Sequence, residues 1–519
     1  MESIVYLPLD ERPCNYYFPL LLSKATAMPM SPPPLNVLGR KKHPANGERI
    51  VQWLVASSAN AKRAVVSLDM LIYGGIVPSR LHYQSLEDCT GRIEVLRQIK
   101  RHNPGLAIYA FNLIMRVPAY DGADEEPDYY AQYGRMIHLY GWYQDKKSSL
   151  GLSAEEEQAW EQIRRELPED ILADFTGRRA INASMNKAAI RLVQEGIIHM
   201  LIIPLDDNAE YGFSAMEQRE LIQYAEMLDV ADKVHIYPGA DEIGCTLYAR
   251  VLCDAFQFTP SFFVRYSSTE GPFVIPRYED RSLNESIKAH LTASGSFMSE
   301  SAVDSDVVLM VNAPPIGAKQ AAESGTAFSE RHRSYFSETN PKELIQAIER
   351  YVQEDRLVAL ADVAVSNGAD HPFMKMLARA GLHRRICAYG AWNTSGNTLG
   401  TVIAHGVIHA YYRQAGIEMN AEQRRASDSF LLLRLLEDWG YQTLLRREVT
   451  HELLPTLNAD YFDIAHVEEQ VVALLHDKLR QFADQYLRLH EPDDFTIRRV
   501  YSPWSRMFEV GIDLEWNRN

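Results

Sequence analysis

Cysteine is scarce and badly placed for any shared chemistry. The 519 residues hold five, at positions 14, 89, 245, 253 and 387, an odd number with no CxxC spacing. That excludes a disulfide scaffold and a Cys-based zinc or redox motif, and points to reduced thiols in a cytoplasmic protein. Long apolar runs are missing too. None approaches the roughly 18 residues of a membrane span, and no basic n-region with an apolar h-region opens the chain. No HExxH occurs, and at the strand ends only His371 follows a polar cluster, a poor ligand supply that argues against zinc. No GxGxxG or GxxxxGK[ST] follows a strand, and no GxSxG elbow is present. Positive charge is in deficit: 53 Lys and Arg face 69 Asp and Glu, a net charge of -16. An acidic surface of this size argues against nucleic-acid and anionic-membrane partners.

What is present is a repeated grammar. A short apolar run ends in polar residues and is followed by a helix. The sharpest instance is His199–Gly212, HMLIIPLDDNAEYG, where Met200–Ile203 runs into Asp206 and Asp207. The run is too short for a buried helix and rich in Ile, which reads as a buried parallel strand. The same pattern recurs at Ile4–Leu9, Ala64–Leu68, Leu106–Phe111, Lys233–Tyr237, Asp306–Val311, Leu357–Ala361 and Arg385–Tyr389. Ser261–Tyr266 (SFFVRY) lacks an acidic or amide cluster and reads as an accessory strand.

Alternating strands and helices predict a mostly parallel sheet. Eight strands, each ending in a polar cluster, predict an α/β fold of the (β/α)8 TIM-barrel type, with the site at the C-terminal strand ends. Two doubly wound α/β domains are the alternative; such sheets gather ligand residues mainly at one crevice. Residues 1–407 form the expected barrel. Residues 118–180, rich in Tyr and Trp, are expected as a helical insertion capping its mouth. Residues 408–519 are expected as a mostly helical extension ending in a hairpin around Ser502–Arg506.

The segments LPLDERPCN (7–15), SLDMLIYGG (67–75), IPLDDNAEYG (203–212), PGADEIG (238–244), NGAD (367–370) and WNTSGNTLG (392–400) together resemble a bacterial family catalogued as domain of unknown function 4127. They span most of the chain, and the family label implies no activity. More distantly, the layout is similar to retaining hexosaminidase barrels. That likeness implies an acidic pair after the fourth strand and Asn and Trp residues gripping a sugar, but fold alone does not assign function.

The candidate chemistry lies at the strand ends. Adjacent carboxylates repel, so one of Asp206 and Asp207 is expected to keep its proton longer and act as general acid beside an ionised neighbour. A helix N-cap with a first-turn acid is the ordinary reading of the same pair. Glu242, beside Asp241 and after a Gly-Ala step, is the third expected catalytic residue, with an N-cap or a buried ion pair as its rival. Asp10, Arg12, Asp69 and Asp241 are expected to hold sugar hydroxyls or lock the rim. Arg116 binds a substrate anion or closes a structural salt bridge. Trp392 with Asn393 suits a sugar, ring on face and amide on hydroxyl, unless Trp392 is simply core. Asn312, Asp362, Asn367, Asp370 and Asn397 complete a mouth suited to a neutral polyhydroxylated ligand.

The resulting expectation is a cytoplasmic glycoside hydrolase, hexosaminidase-like, acting on a small or oligomeric carbohydrate without a cofactor. One alternative is a divalent-metal-dependent hydrolase or lyase on an acidic small molecule. In it Asp10, Asp69, Asp206, Asp241 and Asp370 would supply oxygen ligands for Mg²⁺ or Ca²⁺. Another is a non-catalytic sugar-binding protein.

Overall fold

The computed structural model describes residues 3–488 and 495–517. Its strands are β1 (Ile4–Leu7), β2 (Met30–Ser31), β3 (Arg63–Ser67), β4 (Ala107–Phe111), β5 (Met200–Leu205) and β6 (Val234–Pro238). There follow β7 (Ser261–Tyr266), β8 (Phe297–Ser299), β9 (Val307–Asn312), β10 (Leu357–Asp362), β11 (Ala388–Gly390), β12 (Phe495–Tyr501) and β13 (Gly511–Trp516). All eight expected strands are there. Their continuous apolar character follows from burial on both faces: every residue of β5 and of β9 is buried.

The pairings correct the barrel. Six strands form one parallel sheet in the order β2-β1-β3-β4-β5-β6, and five form another in the order β11-β10-β9-β7-β8. No closed ring of eight strands is formed among the described residues. SFFVRY is no accessory either; as β7 it pairs with both β8 and β9. Apolar runs and polar ends are properties of single strands, whereas partner choice is set by packing far along the chain, so strand counting could not divide the sheets. Each sheet has its first strand inside, the second on one side and the third on the other. This is the order of doubly wound sheets, which have a switch point between first and third strands.

The chain divides into two compact units, one of residues 1–16, 28–247 and 278–280, the other of 17–27, 248–277 and 281–519. In the first unit, the stretch between β4 and β5 holds the helices Tyr130–Ser149, Ala154–Glu166 and Glu169–Gln194, the last running past the expected boundary at residue 180. They share a small core, Tyr130, Ile137 and Phe175 packing with Met115, Val117 and Phe213. Two polar anchors tie them to the C-terminal ends of β4 and β5. Arg179 donates to the Met115 carbonyl at 2.7 Å, and Asp145 accepts from the Gly212 amide at 3.0 Å.

In the second unit, the C-terminal helices join the core of the second sheet. Leu432, Leu436, Trp439 and Phe482 pack with Val308, Leu360 and Tyr389. Helix Ala421–Arg434 continues into a π-helical stretch, Leu435–Leu445. The expected hairpin is present as β12 antiparallel to β13.

Candidate functional site

In the first unit the strand ends carry two carboxylate–guanidinium clusters. The first joins the ends of β1 and of the edge strand β6. After β1, the Arg12 guanidinium donates to Asp10 at 2.7 Å and, as a fork, to Asp241 after β6 at 2.6 and 3.3 Å. The Asn15 amide donates to both carboxylates, at 3.0 and 2.9 Å. β1 and β6 are four pairings apart, about 19 Å in a flat sheet at ~4.8 Å per step. The contact therefore requires the sheet to coil until its C-terminal ends draw together. Burial pushes the Asp10 carboxyl up, against the pull of Arg12. Glu242 is fully buried and accepts from the Ala240 amide at 2.9 Å, turned back on its own turn. Gly239, at φ +157°, has no space for a Cβ, which would lie 2.1 Å from Glu242 Oε1.

The second cluster gathers the ends of β3, β4 and β5. Ser67 caps helix Leu68–Tyr73 by accepting from the Met70 amide, and the helix ends at Gly74 in the left-handed region. That places Asp69 in its first turn, where the carboxylate accepts from the Leu113 amide at 3.0 Å. Burial pushes Asp69 up to about 7. Arg80 donates to Asp206 at 2.6 Å and to Glu125 at 2.8 Å. Arg116 donates to Glu126 at 2.8 Å, to Glu125 at 3.3 Å and to Asp207 at 3.4 Å. Arg116 is thus in a salt bridge, the structural role weighed for it.

The adjacent pair is held asymmetrically. Asp206 is buried and locked by Arg80. Asp207 keeps 27% of its side chain exposed and sits at φ +32°, a strained backbone for a non-glycine residue. Burial first, then the charge of Asp206, push its carboxyl up to about 6. Strain of this kind is an observation from which a functional role is inferred.

In the second unit the strand ends hold a further group. Asn312 donates to Asp362 at 2.9 Å, whose other oxygen accepts from the Asp370 amide at 2.8 Å. Asp370 in turn binds Arg331 at 2.8 Å. Burial and the charge of Asp370 push Asp362 up to about 8. The Asn367 amide donates to the Asn393 carbonyl at 2.9 Å, and both residues have positive φ. Asn397 donates to Thr394, the N-cap of helix Ser395–Ala415. Trp392 is core: 4% exposed, edge-on to Phe18 with centroids 5.7 Å apart, its indole N–H on Thr401. Of the two readings of Trp392, core is the one the burial supports, since a ring 4% exposed offers no open face to a sugar.

Several participants had escaped sequence reading: Asn15, Arg80, Glu125, Glu126, Arg331, and the buried trio Arg434, Glu437 and Asp438. Arg434 binds Asp438 at 2.8 Å and also pairs with Glu437. Glu125-Glu126 is an adjacent acidic pair like Asp206-Asp207 and could have been flagged on that ground. Arg331 and Arg434 lie outside any strand-end pattern and carried no signal. Among the described residues no group of three or more His, Cys, Asp or Glu side chains is placed to hold a metal ion. Asp10, Asp206, Asp241 and Asp370 each bind a guanidinium, and Asp69 a backbone amide.

Fold and clusters together define an α/β protein with two parallel sheets and carboxylate–guanidinium groups at their C-terminal strand ends. The chain belongs to the family described as Protein of unknown function (DUF4127), whose model matches residues 4–513. No curated protein matches it.

Proposed function

We propose that the chain is a glycoside hydrolase whose reaction is run by Asp206 and Asp207. The observation that carries this reading is the division of labour within the pair. Arg80 holds Asp206 at 2.6 Å in a charge-assisted pair. Asp207, half-buried beside that charge, holds its proton up to about 6. A carboxyl that keeps its proton beside a second carboxyl group is what acid-assisted glycoside cleavage needs. Asp207 would protonate the departing glycosidic oxygen and later take a proton from water. The negative charge of Asp206 would favour the positive charge that develops at the anomeric carbon. Arg116, on Asp207 at 3.4 Å, is a positioning residue. A neutral or N-acetylated sugar is the substrate class, since the guanidiniums of this cluster are already engaged by carboxylates. A cytoplasmic location fits five cysteines that are all free thiols; among the described residues no helix is long and apolar enough to cross a membrane.

The test is turnover of a panel of nitrophenyl glycosides and natural oligosaccharides by the wild type and by Asp207→Asn. A loss of at least ~100-fold in kcat is expected for the variant. Equal turnover, or no turnover of any panel member by the wild type, ends the proposal.

A further inference from the structure

The second unit contains two adjoining hollows of about 680 and 560 Å³ that share the walls Ser324–Thr326, Arg447 and His451. Each is the size of a small-molecule site. Their floor is built tightly. Gly368, at φ +143°, leaves no space for a Cβ against Ser324 and Thr443, each 2.8 Å away. Ser324 donates to the Asn367 carbonyl at 2.7 Å, and Thr443 accepts from the Ala369 amide at 2.7 Å. The π-helical stretch Leu435–Leu445 is what brings Gln442 and Thr443 to this wall, and such stretches recur at functional sites.

Two kinds of group here lack what they need. Arg446 is half-buried and donates only to main-chain carbonyls, of Asn367 at 3.0 Å and Phe508 at 3.3 Å. Arg447 is exposed and, among the described residues, has no hydrogen-bond or ion-pair partner. Guanidiniums only donate, and among the described residues neither is neutralised by a carboxylate, so both have N–H donors to offer an oxyanion. The carboxylates nearby do not supply it: Glu448 is tied to Lys478 at 2.5 Å, Glu323 to Arg277 at 2.8 Å, and Glu330 and Glu452 stand exposed at the rim. Gln442 is 4% exposed and gives its amide N–H to the Phe508 carbonyl, leaving its buried Oε1 without a donor. Thr450 Oγ1, on the same wall, is also buried and unpartnered. A carboxamide oxygen only accepts, so the group absent there is a hydroxyl or an N–H. Buried polar atoms are nearly always satisfied, and each exception calls for a cause.

We infer that this hollow binds a hydroxylated anion, a sugar acid or sugar phosphate. Its oxyanion lies between Arg446 and Arg447, its hydroxyls reach Gln442 and Thr450, and Phe508 and Tyr461 line the wall for its ring. The site belongs to the second unit and does not depend on the hydrolase reading.

The test is isothermal titration of the full chain with glucuronate, glucose 6-phosphate, glucose and inorganic phosphate. One of the two sugar anions should bind at least tenfold tighter than glucose and than inorganic phosphate. Which of them is tighter identifies the oxyanion as carboxylate or phosphate. Arg447→Ala, at an exposed position, should weaken that binding at least tenfold, while Asp207→Asn leaves it unchanged. Gln442→Ala should erase the preference over inorganic phosphate. No binding of either sugar anion, binding no tighter than that of glucose or inorganic phosphate, or binding indifferent to Arg447→Ala overturns the inference.

Discussion

Arg12 forks onto Asp241 at 2.6 and 3.3 Å, although their strands lie four pairings apart in one sheet. The same guanidinium holds Asp10, so one cation ties two buried carboxylates and the ends of β1 and β6. Removing it takes this counter-charge away from both buried carboxylates. Arg12→Ala is expected to lose about 3–5 kcal/mol in urea unfolding, as for a broken buried pair. Arg12→Lys should recover less than half of that, because an ammonium cannot fork onto two carboxylates. Wild-type stability in Arg12→Lys would refute the bridging role.

The raised titration of Asp207 sets the alkaline limb of the proposed activity. A general acid must carry its proton, and this one loses it above about 6. On an active substrate, kcat/KM should therefore fall as pH rises through about 6. In Asp207→Asn that limb should vanish along with most of the rate. A limb that persists in the variant belongs to another group.

Asp69 links stability to pH in a direction that can be worked out. In the folded chain burial holds its proton up to about 7, against an ordinary value of 3.8. Between those values the folded state binds more protons than the unfolded one, so stability falls as pH rises from about 4 to about 7. Asp69→Asn cannot ionise and keeps an oxygen for the Leu113 amide. It should be more stable than the wild type by roughly 2–3 kcal/mol at about pH 8 and should lose the advantage near pH 5. Urea titrations at the two pH values check this; a gain of equal size at both would show that ionisation is not the cause.

Trp392 separates core from platform. Buried beside Phe18 and bonded to Thr401, it should cost about 1–2 kcal/mol as Trp392→Phe, from lost volume and one lost hydrogen bond. KM for any substrate found should stay unchanged. A KM raised tenfold with stability intact would restore the platform reading.

Strand-end residues were legible because each belongs to a local pattern. Met200–Leu205 followed by Asp206-Asp207 announces a buried strand and its polar end in eight consecutive positions. Asp10, Asp69, Asp241 and Asp362 were found in the same way, and all are buried in polar clusters. Their partners were less visible. Arg80 and Arg331 sit in segments with no distinguishing period, and their importance comes only from which carboxylates they meet. Glu242 looked like Asp241 on paper; after the turn at Gly239, Asp241 meets Arg12 while Glu242 accepts from the Ala240 amide.

By itself the amino-acid order determined where the strands and helices fall and that acidic groups close the strands, because apolar runs and helical periods act over neighbouring residues. The tertiary structure alone decided that eleven strands split into sheets of six and five, that Arg12 meets Asp241, and that Trp392 is core. Those outcomes depend on which surfaces bury one another across hundreds of positions, a competition among contacts that local spacing does not encode.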